Sequence, residues 1–165
     1  MDAGELVELH ARLRRLGATV GVAESLTGGL LCATLTCIAG ASVTVRGGLV
    51  VYATALKSSL AGVSADLLAE RGAVDPDVAS ALAVGARDRL GATFGVGVTG
   101  VAGPDAQDGK PVGTVFAAVA GPDRVRVEAV QLAGTRTEIR EQAVCVCLEL
   151  LRSECEIAPI PLRSL

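Results

Sequence analysis

Leu6, Leu9, Leu13 and Leu16 recur at helical spacing between charged residues, which predicts an amphipathic helix over residues 4–16, stopped by Gly17. From Ala18 to Ala23 the pattern becomes a short, apolar, partly β-branched run, the mark of a buried strand. It ends in the polar, glycine-rich Glu24-Ser25-Leu26-Thr27-Gly28-Gly29, and Leu30 to Cys37 then resume as an apolar segment of high helix propensity. Gly47 to Tyr52 reads as a second strand, followed by a helical stretch through Lys57 to Leu60 that stops near Gly62. Residues 64–71 and 76–90 read as helices, the second with Asp75 as N-cap and Pro76 in its first turn.

A third strand, Thr93 to Val98, runs into Thr99-Gly100-Val101-Ala102-Gly103-Pro104, too rich in Gly and Pro to continue either element. Residues 105–110 are polar and are expected to be a mobile loop. Val112 to Ala120 and Val125 to Leu132 flank Gly121-Pro122-Asp123 and read as an antiparallel hairpin. A closing helix starts near Thr135 and places Ile139, Ala143, Cys147 and Leu151 on one face; the tail after Cys155, with two prolines, reads as coil. No repeat or linker breaks the chain, so residues 1–165 are expected to form one domain.

Composition sharpens this picture. Half the residues are apolar but only 2% are aromatic, so the core must be built from Ala, Val and Leu, side chains that suit closely spaced helices and sheet. The longest apolar stretches are interrupted well before the roughly 18 residues of a membrane span. The acidic start, Met1-Asp2-Ala3-Gly4-Glu5, lacks the features of a signal peptide, and a cytoplasmic location is expected. A net charge of −3 gives no electrostatic reason to expect nucleic-acid binding. Five cysteines are an odd number for a disulfide framework and read as small core residues; Cys145 and Cys147, two apart on a helix, point to different faces and make a poor metal site.

The candidate chemistry lies where two strands end in turns that combine a hydroxyl with glycines, at residues 24–29 and 98–104. In α/β folds such carboxyl ends open into the ligand crevice. Glycines let a ligand approach the main chain, and free N–H groups opening the next helix favour a phosphate or a developing oxyanion. The plainer alternative is a tight turn with Thr27 as helix N-cap. The glycine spacing matches neither a P-loop nor the dinucleotide fingerprint.

Ala23-Glu24-Ser25-Leu26-Thr27-Gly28-Gly29 resembles the AES-x-TGG signature of the CinA carboxy-terminal family, also described as nicotinamide-nucleotide amidohydrolases. Gly47 to Tyr52 with Lys57, Gly72-Ala73-Val74, Val98 to Pro104 with Lys110 to Val115, and Gly134-Thr135-Arg136 with Ile139-Arg140 resemble its further blocks, in family order. The resemblance implies an α/β fold, a single three-layer α/β/α domain with a mixed sheet, in the stand-alone form. It also implies hydrolysis of nicotinamide mononucleotide to nicotinate mononucleotide and ammonia, in pyridine-nucleotide salvage, with no metal or organic cofactor.

Hydrolysis of a carboxamide needs an activated nucleophile, a base that later protonates the leaving ammonia, and donors for the oxyanion. The single histidine, His10, lies outside every motif and is expected at a surface or interface, which excludes a Ser-His-Asp triad. The resemblance assigns Ser25 as nucleophile and Lys57, at the family's motif lysine, as general base. A lysine fills that role when burial or a neighbouring cation lowers its pKa. Tyr52 would hydrogen-bond or relay protons, and Thr99 with the backbone from Gly100 to Gly103 would hold polar groups of the substrate. Thr27, Gly28 and Gly29 would line the same site, and Arg140, with Arg136, would pair with the phosphate. Glu24 would hold either the turn or a lysine.

Thr54 departs from the family, where Asn is common, and removes an amide. The alternative function is a catalytically silent binding or assembly module in a competence or DNA-damage setting. The partner expected on the first reading is a small pyridine nucleotide, with no nucleic acid and no membrane, and a homo-oligomer is expected from the apolar surface this composition must leave.

Overall fold

The computed structural model describes residues 1–158. Helix α1 (Ala3–Leu16) opens on a reciprocal cap: Asp2 accepts the Glu5 N–H and Glu5 accepts the Asp2 N–H, each at 2.8 Å. There follow β1 (Val20–Glu24), α2 (Leu30–Thr36), a 3-10 turn (Ala41–Val43), β2 (Val45–Val50), α3 (Thr54–Ser59) and α4 (Ala65–Arg71). The chain continues with α5 (Pro76–Leu90), β3 (Phe94–Gly100), β4 (Thr114–Ala120), β5 (Val125–Gln131) and α6 (Arg136–Ile157). The sheet order is β2-β1-β3-β4-β5; β2, β1 and β3 are parallel, and β4 and β5 run antiparallel to their neighbours, which makes the sheet mixed.

Strand alternation divides the core between the two faces of the sheet. Val20, Val22, Phe94, Val96, Val98, Val115, Ala117 and Val119 pack with α1, α2 and α6. On the other face Ala23, Ala118 and Ala120 meet α5, whose Val78, Ala79, Leu82, Ala83 and Ala86 are all buried. The small residues expected from composition have a specific task here. An added Cβ at Gly97 would stand 2.4 Å from both the Ala79 carbonyl oxygen and the Ala83 nitrogen, so the α5 backbone lies directly on β3. Gly97→Ala should therefore lower stability by about 1–3 kcal/mol, the usual cost of overpacking. A urea unfolding midpoint equal to wild type would show that α5 can lift off the sheet without cost.

Several expectations need correction. β3 continues through Thr99 and Gly100, because these residues pair with Phe116 and Val115 on β4. Segment 105–110 is tied down: Gln107 and Lys110 bridge each other across a turn in which Asp108 and Gly109 have φ of 50° and 70°. His10 is fully buried, with Nδ1 2.7 Å from the Thr44 hydroxyl, and burial lowers its pKa. It joins α1 to the segment before β2. Cys147 and Cys155 are core residues as expected, and burial pushes the Cys155 thiol up to about 12; Cys37, at the end of α2, is exposed. The face Ile139, Ala143, Cys147 and Leu151 is buried as expected, and α6 extends to Ile157, beyond Cys155. The prolines of the tail lie outside the described residues. Among the described residues no helix is long and apolar enough to cross a membrane.

Candidate active site

Because β2, β1 and β3 are parallel neighbours, their carboxyl ends emerge side by side. The Ser25 N–H bonds the Val98 carbonyl at 3.0 Å, and the Val51 N–H bonds the Glu24 carbonyl at 2.8 Å, which fixes the three exits relative to one another. From Val51 the chain turns into α3, and its second turn returns Lys57 to the exit of β1. Lys57 Nζ donates to Ser25 Oγ at 2.8 Å and to the Val51 carbonyl at 3.0 Å. Lys57 is 1% exposed and Ser25 9%. Burial lowers the Lys57 pKa to about 8, against a smaller opposing influence of the Asp108 charge. At pH 7 roughly a tenth of Lys57 is then neutral, against well under about 0.1% for an ordinary lysine.

The opposite wall comes from the exit of β3. Thr99 Oγ1 donates to the Ala73 carbonyl at 2.6 Å, and the Ala73 N–H donates to Asp108 Oδ2 at 2.7 Å. At the rim, Arg136 from the first turn of α6 donates to the Tyr52 hydroxyl at 2.7 Å and to the Gly103 carbonyl. A cleft of about 120 Å³ results, lined by Ser25, Tyr52, Lys57, Thr99, Gly100, Gly103 and Arg136 among others. A groove of about 530 Å³ lies at the other end of the sheet, by Leu16, Phe94, Pro122 and Ile157. Its two paired charges, Arg124 and Glu154, bond each other at 2.9 Å, and nothing in it resembles a nucleophile beside a base.

Four residues expected at the site stand outside the lining of this cleft. Thr27, Gly28, Gly29 and Arg140 do not line the cleft. Thr27 is not the helix cap either: Gly29 occupies that position, and the buried Thr27 hydroxyl has no hydrogen-bond partner among the described residues. The N–H groups opening α2 are not free for an anion, because the fully buried Glu24 carboxylate takes those of Gly29 (3.0 Å), Leu31 (3.0 Å) and Cys32 (2.8 Å). A helix start is partially positive, and Glu24 leaves β1 directly beneath it. Glu24 thus holds the turn, not a lysine.

Arg140 reaches from α6 to the carbonyls of Leu26 (3.0 Å) and Thr27 (2.6 Å), so its guanidinium braces the turn that follows Ser25. Of the two arginines expected to meet a phosphate, only Arg136 faces the cleft. Thr54 is exposed and lines no part of the cleft. Conversely, Asp105 and Gln107 line the cleft and Asp108 anchors its wall, although none of the three was a sequence candidate. The Asp108-Gly109 dipeptide is a tight-turn signal that marks the loop tip, though not the contact it makes.

A hydroxyl held 2.8 Å from a buried amine with a lowered pKa is the arrangement of an activated nucleophile and its base. The comparisons with known proteins agree on its relatives. The family model described as the CinA C-terminal domain matches residues 5–155. A CinA-like protein of Frankia casuarinae is 53% identical over 151 residues, covering 92% of this chain and 35% of that protein. One of Myxococcus xanthus is 44% identical over 149 residues, covering 89% of this chain and 35% of that protein. The chain thus spans about a third of the length of these curated relatives.

Among solved structures, the competence/damage inducible protein CihA from Agrobacterium tumefaciens is 38% identical, with a TM-score of 0.85, over 93% of this chain and 97% of that one. The competence damage-inducible protein A from Klebsiella pneumoniae superposes with a TM-score of 0.91 at 27% identity, over 94% of this chain and 98% of that one. By sequence and by fold, this chain belongs to the CinA C-terminal domain family.

Proposed function

We propose that the domain hydrolyses the carboxamide of nicotinamide mononucleotide, releasing ammonia and nicotinate mononucleotide. The observation that carries this reading is the buried 2.8 Å contact between Lys57 Nζ and Ser25 Oγ. With Lys57 neutral, one N–H stays on the Val51 carbonyl and the lone pair is left facing Ser25. Ser25 Oγ attacks the amide carbon as its proton passes to Lys57. The resulting lysine ammonium returns a proton to the leaving nitrogen, which departs as ammonia. Water then attacks the Ser25 ester as Lys57 takes its proton, and Lys57 returns that proton to Ser25 Oγ as the acid leaves.

A volume of about 120 Å³ is well below the roughly 300–1,000 Å³ of sites that enclose a drug-sized ligand. The cleft suits the pyridine carboxamide, with ribose and phosphate extending past the Tyr52 and Arg136 rim. Arg136 offers a planar set of donors matched to phosphate oxygens. Binding energy gathered there would position the amide for attack.

Purified protein should therefore release ammonia from nicotinamide mononucleotide and far less from free nicotinamide. Equal rates on both compounds would remove the phosphate contact from the reading. No release from either by folded protein would favour a silent binding module. Because the base must be neutral, kcat/KM should rise with pH through a midpoint of about 8 and level off above it. A profile flat from pH 6 to 9 would remove Lys57 as the base.

A further inference from the structure

We propose that Asp108 is a positioning residue of this site: from the tip of its turn the carboxylate latches the Gly72-Ala73-Val74 turn against the cleft and presents a negative charge to Lys57. The latch is geometric. Gln107 N–H and Lys110 N–H exchange bonds with each other's carbonyls at 3.1 and 2.8 Å, closing a two-residue turn at Asp108-Gly109. Asp108 there has φ 50°, a left-handed conformation that a non-glycine residue adopts at a cost.

From that tip its carboxylate accepts the Ala73 N–H at 2.7 Å. The fit is close enough that an added Cβ at Gly72 would stand 2.9 Å from the Asp108 carboxyl carbon. The carbonyl of the same Ala73 accepts the Thr99 hydroxyl proton at 2.6 Å. One peptide turn is thus held on both sides, by Thr99 from β3 and by Asp108 from the loop. That loop also sends Asp105 and Gln107 to the lining.

The other charged and titratable groups near the cleft have partners of their own or belong to its lining. Glu24, beneath Ser25, is bound by three N–H groups; Asp75, at the start of α5, takes the Asp77 N–H at 2.9 Å; Tyr52 and Arg136 pair with each other at the rim; Asp105 is part of the cleft lining. Asp108 is the neighbour whose charge opposes the effect of burial on Lys57. Its role is to keep the amine from losing its proton too readily, so that protonated Lys57 remains available for the leaving nitrogen. This consequence rests on Lys57 being the base; the latch and the field do not.

The test reads both without turnover. In isotope-labelled protein, the Lys57 side-chain titration and the Ala73 amide exchange are followed by NMR for wild type, Asp108→Asn and Asp108→Ala. Asp108→Asn keeps an acceptor for the Ala73 N–H but no charge. It should lower the Lys57 midpoint by roughly 0.2–0.7 pH unit, the range of partly exposed charge pairs, and by less at about 1 M salt. Its Ala73 exchange should stay near wild type. Asp108→Ala should lower the midpoint similarly and also speed Ala73 exchange. An unmoved Lys57 midpoint in Asp108→Asn, or unchanged Ala73 exchange in Asp108→Ala, would overturn the proposal. Ammonia release is measured in parallel, so failure of the amidohydrolase reading shows separately. If that reading holds, the acidic limb of the Asp108→Asn rate profile moves down with the midpoint.

Discussion

Ser25→Ala and Lys57→Ala should each lower turnover of nicotinamide mononucleotide by about 10³-fold or more, and the double variant should be little worse than either alone. The non-additivity follows from the geometry: Lys57 Nζ sits 2.8 Å from Ser25 Oγ, so the base has no task without the nucleophile, and the hydroxyl stays protonated without the base. Lys57→Arg should be as inactive as Lys57→Ala, because a guanidinium does not deprotonate in this pH range.

The same lysine makes a stability prediction that separates folding from chemistry. Its folded pKa, about 8, lies below the roughly 10.4 of an unfolded chain, so between these values the unfolded state binds more protons. Wild-type stability should therefore rise as pH goes from about 8 to 10.4, and Lys57→Met should flatten that rise while raising stability at pH 7. Folded Ser25→Ala protein with near wild-type turnover would show that water activated by Lys57 attacks directly, and the nucleophile would have to be reassigned.

How far the sequence disclosed this site depends on how local each signal is. Helix α5 was legible in full because Asp75 and Pro76 mark its start and Gly91 follows its end. The buried face of α6 was legible because Ile139, Ala143, Cys147 and Leu151 follow one helical period. The end of β3 was not, since Thr99 and Gly100 look like turn residues until Phe116 and Val115 arrive from β4 to pair with them. The polarity of His10 points to the surface, although it lies four residues after Leu6 and three before Leu13, on the face that is buried.

Ser25 and Lys57 entered through a motif resemblance, and the structure brings their side chains together. The destinations of long polar side chains stayed hidden. Nothing near Arg140 in the chain announces that it bonds the carbonyl of Leu26, 114 positions earlier, and nothing near Ala73 announces Asp108, 35 positions later. Such pairings are set by which elements cross above the carboxyl ends of the strands, and that is decided only when the whole sheet has formed.

Glu24→Ala should lower stability by about 3–6 kcal/mol, the largest loss expected from any change at this site that spares Ser25 and Lys57. The carboxylate is fully buried and accepts three main-chain N–H groups, from Gly29, Leu31 and Cys32, at 2.8–3.0 Å. Truncation would leave the buried Leu31 N–H without a partner at about 1–3 kcal/mol and the part-buried Gly29 and Cys32 N–H groups at roughly 1 kcal/mol each, and would remove the anion that complements the start of α2. Glu24→Gln should lose less, because its carbonyl oxygen still accepts while its amide group opposes the donors that the second oxygen held. The functional loss should follow the structural one. Ser25 is the next residue, and the Arg140 brace on Leu26 and Thr27 holds a turn whose underside Glu24 supports. Chemical denaturation of both variants, with ammonia release measured where they remain folded, should therefore order wild type, Glu24→Gln and Glu24→Ala alike in stability and in rate. A Glu24→Ala protein as stable as wild type would mean that water replaces the carboxylate beneath the turn, and that the turn is held from the Arg140 side alone.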